Sequence, residues 1–562
     1  MAVIKFAKIY PKFFECIKTY SFSIFKKDLV AGLTVGIVAV PLASAFAIAS
    51  GLEPERGFFT AIVAGFFISF LGGSRFQIGG PTGAFVVIVY AIAAKYGYQG
   101  LSLATIIAGV ILILFAYTRL GSYIKFIPYP VVLGFTAGIA VILFTTELKD
   151  ILGLNMGSVP ADFAEKFAAY RAAVTSVHSV NFWSVGVGLA TIAIIMTVRK
   201  TLKKIPSHIF AIVLVTLAVA IFNIPVPTIY SHFGELPRSL PTPVLPEFSF
   251  DMAKAVFPSA VTIAILAAIE SLLSTVVADG MTTDRHNSDT ELFGQGIGNI
   301  VSAIFGGMPA TGAIARTVTN IKAGGETPVA GMIHAITILV FIIFFAKAAE
   351  MIPMAAIAGM LSVISWDMFD PRRLIKFSRQ SRSDMFVMVI VLLLTVIVDI
   401  TVAVEVGVVM AALLFIKRMS DVTTLDLVTG TGVNTDDLRF KDVPDGVNVY
   451  EINGPFFFGA ANNLIHTMES VADVSGIIIL RMRSVPVMDT TGLNALETFA
   501  ATCLRNRATL ILSGVQPEPF KLIKASGLIN LLGEKNVTNH IDKALARAQE
   551  LASEREAAKQ QQ

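Results

Sequence analysis

Apolar segments long enough to cross a bilayer dominate this sequence and limit the folds that it can adopt. A membrane-spanning helix takes about 20 predominantly apolar residues, and twelve candidate spans follow one another between residues 30 and 416. They lie at residues 30–50, 58–71, 101–118, 130–146, 182–198, 208–222, 255–278, 292–305, 329–346, 353–364, 385–401 and 402–416. Charged residues make up 15% of the chain, against about 25% in soluble domains. The sequence therefore predicts a polytopic α-helical membrane protein.

Two shorter elements begin with breaks rich in glycine and proline. Residues 79–84 read Gly-Gly-Pro-Thr-Gly-Ala, and residues 306–313 read Gly-Gly-Met-Pro-Ala-Thr-Gly-Ala. With these two the chain has fourteen membrane elements, and each break is the third element of its set of seven. Corresponding breaks in two halves indicate the binding site of an inverted-repeat transporter. We therefore predict a 7+7 inverted repeat within a membrane domain at 29–420, with repeat 1 at about 29–224 and repeat 2 at about 252–420.

Basic residues in short loops predict the orientation of the chain. They cluster at 26–27, 199–204, 372–379 and 417–418, positions that all fall on one side of the predicted membrane. Both termini are therefore expected in the cytoplasm, and residues 1–28 form a cytoplasmic N-terminal segment without the features of a secretory signal. The net charge of +4 is dispersed among these loops, which argues against nucleic acid as a partner.

After residue 420 the pattern changes to that of a small α/β domain, at residues 421–552. VNVYEI, GIIILRM and ATLILSG predict buried strands, and ANNLIHTMESVA, GLNALETFAATCL and PEPFKLIKASGL predict helices between them. The sheet is expected to be mostly parallel. The last stretch is predicted to begin as a helix and to fray into a polar tail at 553–562. Cys16 and Cys503 both fall in predicted cytoplasmic parts, so we expect free thiols.

The breaks predict an anion site made of helix ends. The N-terminus of a half-helix presents unpaired N–H groups and a partial positive charge, which suit an anion. One break alone is explained equally well as a loop or a kink, but two in corresponding places favour a site. The residues that open the half-helices are Thr82, Gly83 and Ala84 in the first break and Thr311, Gly312 and Ala313 in the second.

Glu270 and Arg316 are charged residues at membrane depth. An ionisable group there is costly and is functional by default, so Glu270 is predicted to exchange a proton, with Ser274 one turn further along the same face. The alternative for Glu270 is a structural carboxylate. Arg316 either binds an anion through its planar guanidinium or is locked in an ion pair with Glu270. Phe46, after Pro41 in the first span, is predicted to flank the site.

Asp489, Thr490 and Thr491 join a strand to a helix in the C-terminal domain. They are good helix-capping residues, and a hydroxyl in this loop is also a candidate for regulatory phosphorylation near a helix N-terminus. The chain has no GxxxxGK[ST] loop and no HExxH or His–Cys clustering. We therefore expect neither an enzyme nor an ATP-driven pump, and no metal or other cofactor apart from a coupling proton.

The sequence resembles the SulP family of sulfate permeases and related anion transporters over nearly the whole chain. The matching stretches are DLVAGLTVGIVAVPLASAFAIASGLEPERGFFTA, IGGPTGAF, IPYPVVLGFTAGIAV, AAIESLLSTVVADGMT, NSDTELFGQGIGNI and GGMPATGAIARTVTNIKAGG. The C-terminal region resembles the family's STAS domain, with residues 488–493 on its signature loop. Threonines stand there in place of the usual serines of soluble relatives.

The resemblance implies a core domain that moves against a gate domain, a homodimer, an inner (plasma) membrane location and a cytoplasmic STAS domain with a possible soluble partner. The family's anion site lies between the facing ends of the third and tenth elements. In this sequence that site comprises Phe46, Thr82, Gly83, Ala84, Thr311, Gly312, Ala313 and Ile314, with Arg316 adjoining.

The resemblance also suggests how transport is coupled. Glu270 falls where proton-coupled members carry glutamate and sodium-coupled bicarbonate members carry aspartate. The match is closest to bacterial members that take up C4-dicarboxylates such as succinate and fumarate, although relatives carry sulfate, bicarbonate or halide. We expect proton-coupled uptake of a C4-dicarboxylate or sulfate by alternating access. The alternatives are a sodium-coupled bicarbonate transporter, an anion channel or motor, and a regulatory scaffold acting through the STAS domain.

Overall fold

The chain forms two compact units, Met1–Val409 and Met410–Gln562. The structure is a computed structural model, which describes residues 9–121, 128–154, 160, 163–175, 180–202, 206–239, 242–379, 381–398, 400–427, 443–444, 446–457 and 476–560. The first unit is helical, and the second unit contains a five-stranded sheet. This division agrees with the predicted change from membrane elements to an α/β pattern.

Each predicted span overlaps a helix, and all but the last lie within the first unit. The helices of the first half are α1 (Lys12–Cys16), α2 (Phe22–Ala49), α3 (Pro54–Leu71), α4 (Val86–Tyr117), α5 (Tyr129–Leu152), α6 (Phe163–Thr175), α7 (Phe182–Thr201), α8 (Ser207–Ile221) and α9 (Ile229–Phe233). Those of the second half are α10 (Phe250–Met281), α11 (Ser288–Ile304), α12 (Ile314–Lys322), α13 (Val329–Glu350), α14 (Met354–Phe369), α15 (Pro371–Ser378), α16 (Arg382–Ile397) and α17 (Ile400–Val422), which crosses the boundary between the units. Over the described residues, seven helices are long and apolar enough to span a membrane.

Two special backbone residues shape the first half. Gly97, at a φ of +65°, interrupts α4, so this one helix contains both the short element after the first break and the predicted span at residues 101–118. Glycine adopts this left-handed conformation without the Cβ clash that other residues suffer. Pro41 lies inside α2, which continues from Phe22 to Ala49. The helix is therefore not broken at Pro41, and Phe46 lies on its continuous C-terminal part.

The packing of the helices repeats with the two halves exchanged. α2 packs on α13 as α10 packs on α4, and α3 packs on α13 as α11 packs on α4. In the same way, α5 packs on α16 as α14 packs on α7. This correspondence supports the predicted inverted repeat, because each contact between two helices has an equivalent contact between their counterparts in the other half.

These contacts group the helices into two bundles. The first bundle contains α2, α3, α4, α10, α11, α12 and α13; the second contains α5, α7, α8, α14 and α16. Small residues bring the helices close together within the first bundle, as a Cβ on Gly32 would lie 2.6 Å from the Ala330 carbonyl oxygen and one on Gly36 would lie 2.6 Å from Thr337 Cβ. Close backbone approach through small residues is typical of membrane helices.

The C-terminal unit is built on a sheet with strand order β3-β4-β5-β6-β7. The strands are β3 (Thr424–Leu427), β4 (Val447–Asn453), β5 (Ile477–Ser484), β6 (Thr509–Ser513) and β7 (Val537–Thr538), and the helices are α18 (Thr490–Arg505), α19 (Pro517–Ser526), α20 (Leu528–Leu532) and α21 (Ile541–Gln560). Among the described strands of this sheet, only the β3–β4 pair is antiparallel. The predicted mostly parallel sheet and its three strands are confirmed.

Apolar helix faces cover both sides of this sheet. Residues of α18, α19 and α20 pack on one side, and residues of α21 pack on the other. The helix predicted for ANNLIHTMESVA lies outside the described residues. α21 continues through Gln560, so the predicted fraying at residue 553 is wrong; helix-forming Ala, Glu, Arg and Lys residues extend it.

Candidate functional site

The two breaks meet inside the first bundle as a short antiparallel ladder. The strands are β1 (Gly79–Gly80) and β2 (Thr311–Gly312), which pair Gly79 with Gly312 and Gly80 with Thr311. The Ala313 N–H donates to the Ile78 carbonyl oxygen at 2.9 Å, which extends the pairing. The structure therefore brings the two predicted breaks together.

A helical element begins directly after each strand of this ladder. A 3₁₀ turn, Gly83–Phe85, follows Thr82 and continues into α4, and α12 starts at Ile314 after Ala313. No side chain caps either start, although the first N–H groups of a helix lack partners within the helix. The residues of both starts are buried except Thr82 and Ile314, which are half-buried. Uncapped donors at two facing helix starts suit an anion.

Arg316 lies where the two breaks cross. Its side chain is 4% exposed, and its Nη2 donates a hydrogen bond to the Pro81 carbonyl oxygen of the other break. Nη1 is buried without a hydrogen-bond partner among the described residues, and so is the Thr82 hydroxyl. Gly80 permits this approach, because its φ is +147° and a Cβ there would lie 2.6 Å from Nη1. The unpaired guanidinium nitrogen is available to a ligand.

The predicted alternative in which Arg316 is locked in an ion pair with Glu270 is wrong for this conformation. Neither residue forms a salt bridge within the described part of the chain. Glu270 instead lines a narrow cavity with Val131 and Phe135 of α5 and Val404 of α17. Glu270 and Arg316, the acid and base singled out from the sequence, therefore lie in different places. Glu270 lies at the interface between the two bundles, which we call the seam. Arg316 lies where the two breaks meet, which we call the crossing.

Phe46 reaches the first half-helix from α2, as predicted. A Cβ on Gly83 would lie 3.3 Å from Phe46 Cε1 and 3.1 Å from Met368 Sδ of α14. Phe46 is 6% exposed. No sequence pattern singled out Met368, which lies at the end of an apolar helix and joins the site only through the packing of distant elements.

Ser274 belongs to a hydrogen-bond network around the ladder. Its hydroxyl donates to Gln77 Oε1 at 2.8 Å and lies 3.2 Å from Thr317 Oγ1. Ser271 Oγ lies 2.8 Å from Thr311 Oγ1 and accepts from the Gly312 N–H at 3.0 Å. These bonds fix β1 and β2 against α10. Ser274 thus forms hydrogen bonds with residues beside the two breaks. Its predicted role in proton coupling stays a prediction.

Gln77, Ser271 and Thr317 were missed in the sequence because polar residues in loops and helices are common. One signal was available: each lies within a few residues of a break or of Glu270, in a part of the membrane domain where buried polar groups need hydrogen-bond partners.

Helices from each half hold the second break in place. Thr60 of α3 accepts from the Met308 N–H at 2.7 Å. Asn299 of α11 donates to the Ala310 carbonyl oxygen at 2.9 Å and accepts from the Ala310 N–H at 2.8 Å. Because buried backbone groups need partners, these side chains make an irregular segment possible within the bundle.

The predicted regulatory loop of the C-terminal unit forms a helix cap. Asp489 accepts from the Gly492 N–H at 2.7 Å and caps α18, which begins at Thr490. Thr490 and Thr491 are exposed. The capping interpretation is confirmed, and phosphorylation stays a prediction. Cys16 and Cys503 are free and buried, as expected.

Two parts of the chain match known family models. Residues 25–391 match the Sulfate permease family, and residues 441–544 match the STAS domain. The first match covers the breaks, Glu270 and Arg316, and the second covers the loop at Asp489.

Similar proteins have been assigned to anion transport. The protein named "Putative sulfate transporter YvdB" from Bacillus subtilis (strain 168) is 38% identical over 527 residues, which cover 93% of this chain and 98% of that protein. "Bicarbonate transporter BicA" from Picosynechococcus sp. is 33% identical over 84% of this chain and 85% of that protein.

Solved structures share the fold. The transmembrane domain of a cyanobacterium bicarbonate transporter BicA superposes with a TM-score of 0.61 and 32% identity, covering 70% of this chain and 98% of that chain. The overall structure of SLC26A9 superposes with a TM-score of 0.83 at 17% identity, covering 96% of this chain and 93% of that chain.

Proposed function

This chain belongs to the sulfate permease family of anion transporters and carries a C-terminal STAS domain, and on that premise we propose that it is a proton-coupled secondary transporter. Its substrate in this proposal is a small anion, a C4-dicarboxylate or sulfate, taken up by alternating access. The protein acts at the inner (plasma) membrane with both termini in the cytoplasm. It works as a homodimer, and its STAS domain is available to a soluble partner.

One observation carries the proposal: a buried guanidinium nitrogen of Arg316 lies unpaired where two uncapped half-helices meet. Burying a charge without a partner is costly, so the fold keeps this donor open for a ligand. The Thr82 hydroxyl, also unpaired, adds a second donor. Together they match a carboxylate or sulfate oxygen pair better than a neutral solute.

The two helix bundles supply the moving parts of alternating access. Met368 of the second bundle touches the site of the first bundle at Gly83. A displacement of one bundle against the other would open or close that contact. Rigid movement of one bundle past another around a central site is the usual mechanism of inverted-repeat transporters.

Glu270 supports proton coupling because of where it lies. Its carboxyl group has no bonded partner in the described residues and faces α5 and α17 across the seam between the bundles. When this apolar interface closes and loses its water, the neutral acid is favoured over the carboxylate, because burying a charge is costly. Protonation of Glu270 would therefore ease the sliding of one bundle past the other, while Arg316 holds the anion.

Sodium-coupled bicarbonate uptake is the second candidate, because proteins named bicarbonate transporters are similar to this chain over most of its length. The glutamate at position 270, where sodium-coupled members carry aspartate, favours protons.

Uptake into proteoliposomes separates the two candidates. Labelled succinate, fumarate, sulfate and bicarbonate are supplied with and without an imposed proton or sodium gradient. Proton-driven accumulation of a dicarboxylate or sulfate supports the proposal, and sodium-driven bicarbonate accumulation supports the second candidate. Accumulation of none of the four anions refutes both.

The role of Glu270 is tested in the same assay. Glu270→Gln is expected to abolish the response to the proton gradient, because the amide cannot exchange a proton. Glu405→Gln, an exposed acid of α17, is the matched control and should retain the response. Unchanged gradient dependence in Glu270→Gln would show that another group carries the proton.

A further inference from the structure

Met368 of α14 contacts the anion site from the opposite bundle. A Cβ on Gly83 would lie 3.1 Å from its Sδ and 3.8 Å from its Cε, both at or inside van der Waals distance. The Phe46 ring approaches the same point to 3.3 Å. An aromatic ring of the first bundle and a thioether of the second therefore lie close to the same point beside Gly83.

The contact is made at the first residue of the half-helix. Gly83 opens the 3₁₀ turn, whose start has no side-chain cap. An anion bound by the N–H groups of this start must lie beside Phe46 and Met368. A thioether is only a weak acceptor, so Met368 does not compete strongly with the anion for the N–H donors of the helix start.

The end of α14 is fixed to the second bundle. Arg199 of α7 donates to both carboxylate oxygens of Asp367, at 2.8 and 2.7 Å. This bidentate geometry is the most directional form of an arginine–carboxylate pair. Three residues after Asp367, the Asp370 side chain accepts from the Arg373 N–H at 3.2 Å and starts α15. Met368 lies between these two anchors and must move with the second bundle.

We propose that Met368 is the residue of the second bundle that closes the anion site, by covering Gly83 against Phe46, and that it limits the size of the anion that fits there. The assignment rests on the proposed transport function and adds a residue to it. Methionine suits the task because its unbranched side chain packs against aromatic rings and adapts to different neighbours.

A purely structural role predicts a different pattern. Met360 lies two turns earlier on α14 and is fully buried away from the site. If Met368 only filled space, Met368→Ala and Met360→Ala would both lower thermal stability, and neither would change which anions are accepted.

Thiol labelling tests the closure directly. In Met368→Cys, a maleimide is added with and without each candidate anion. Cys16 and Cys503 are 5% and 1% exposed, so wild-type protein supplies the background rate. Protection of the introduced thiol by an anion is expected. Met351→Cys, at a position 49% exposed, should label at a rate that no anion alters.

Substrate choice tests the size limit. Met368→Ala is expected to reduce discrimination between succinate and the one-methylene-longer glutarate by about tenfold, the scale at which a pocket senses a methylene. Met368→Leu, of similar bulk, should restore discrimination. Equal discrimination in Met368→Ala and wild type would overturn the size limit, and a change in Met360→Ala as large as that in Met368→Ala would also overturn it.

The two proposals fail in different ways. If wild-type protein accumulates no anion but one anion protects the thiol at position 368, the transport proposal fails and the closure stands. If wild-type protein transports and no anion protects the thiol, the closure by Met368 is overturned.

Discussion

The two units of this chain each bury an arginine, and they treat it in opposite ways. In the C-terminal unit Arg481 is 3% exposed and its Nη1 lies 3.2 Å from Glu451 Oε2, on the neighbouring strand. In the membrane unit Arg316 is 4% exposed and one guanidinium nitrogen has no partner among the described residues. A buried arginine that is paired with a carboxylate of the same unit contributes to the structure of that unit. A buried arginine without such a partner is suited to bind an anionic ligand.

Their helix starts differ in the same way. Asp489 caps α18, so its first donors are satisfied by the chain itself. The starts at Gly83 and Ile314 have no side-chain cap. A helix N-terminus alone therefore does not identify an anion site; what distinguishes the membrane unit is that its donors stay open beside an unpaired cation.

The largest effect is expected from breaking the internal pair of the C-terminal unit. Arg481→Met leaves Glu451 buried without its main partner and should cost about 3–5 kcal/mol in the free energy of unfolding of this unit. Arg483→Met, which removes a 46% exposed arginine 3.4 Å from the same carboxylate, should cost less than about 1 kcal/mol. Chemical denaturation of the full chain measures both. Equal losses of stability in the two variants would mean that burial of the arginine does not determine how much its ion pair with Glu451 contributes to the free energy of unfolding.

The matching change in the membrane unit should affect transport more than stability. Arg316→Gln removes a charged donor worth about 2–3 kcal/mol to a bound anion, so kcat/KM for uptake should fall roughly 30- to 150-fold. Lys322→Gln removes the same charge from an exposed position on the same helix and should leave uptake near the wild-type rate. If Arg316→Gln unfolds the protein and uptake per folded molecule is retained, Arg316 is structural, as Arg481 is.

The capped helix start gives a smaller effect. Asp489→Ala removes the side chain that accepts from the Gly492 N–H and should lower the stability of the C-terminal unit by about 1 kcal/mol. Asp489→Asn, another good cap, should restore most of the loss. Uptake by the folded protein should be unchanged, and a loss of uptake at full stability would instead indicate a role for this loop in transport.

The smallest effect concerns Cys503. Burial raises the pKa of its thiol from its ordinary value of 9.0 to about 12. Because the folded state holds this proton more tightly than the unfolded state, the thiol's contribution to stability is complete below about pH 9 and is lost as the pH rises towards 12. Native protein should therefore react slowly with thiol reagents at both pH 7 and pH 9, whereas urea-unfolded protein should react much faster at pH 9. Fast native labelling at pH 9 would contradict the burial of this thiol.

The sequence predicted the membrane spans and the breaks because their signals are local. Long apolar runs and clusters of glycine and proline act over neighbouring residues, so the helices that carry the twelve predicted spans and the starts at Gly83 and Ile314 follow from them, whereas α6, α9 and α15 were not predicted. Three of the five strands of the C-terminal unit, β4, β5 and β6, and most of its described helices were predicted for the same reason. Ala-, Glu- and Arg-rich sequence at residues 553–560 was misinterpreted as a frayed tail, although these residues favour a helix.

Contacts between distant residues were not predictable in this way. The sequence left two partners open for Arg316, and only the fold shows that its guanidinium bonds to the Pro81 carbonyl while Glu270 faces α5 and α17. Ser274 was paired with Glu270 by helical spacing, but its hydroxyl bonds to Gln77, a residue almost 200 positions away. Periodicity places a side chain on a face of a helix and does not determine which neighbour that face meets.

By itself, the sequence determined that this chain is a membrane protein built from two related halves, with an α/β domain after them. The length of the apolar segments, the positions of the charged residues and the two repeated breaks are enough to establish this, because each reflects how neighbouring residues interact with water or lipid. Only the tertiary structure decided which charges meet and which stay open. The pairing of Gly79 with Gly312 brings together donors about 230 residues apart, and packing of the two bundles places Met368 against Gly83.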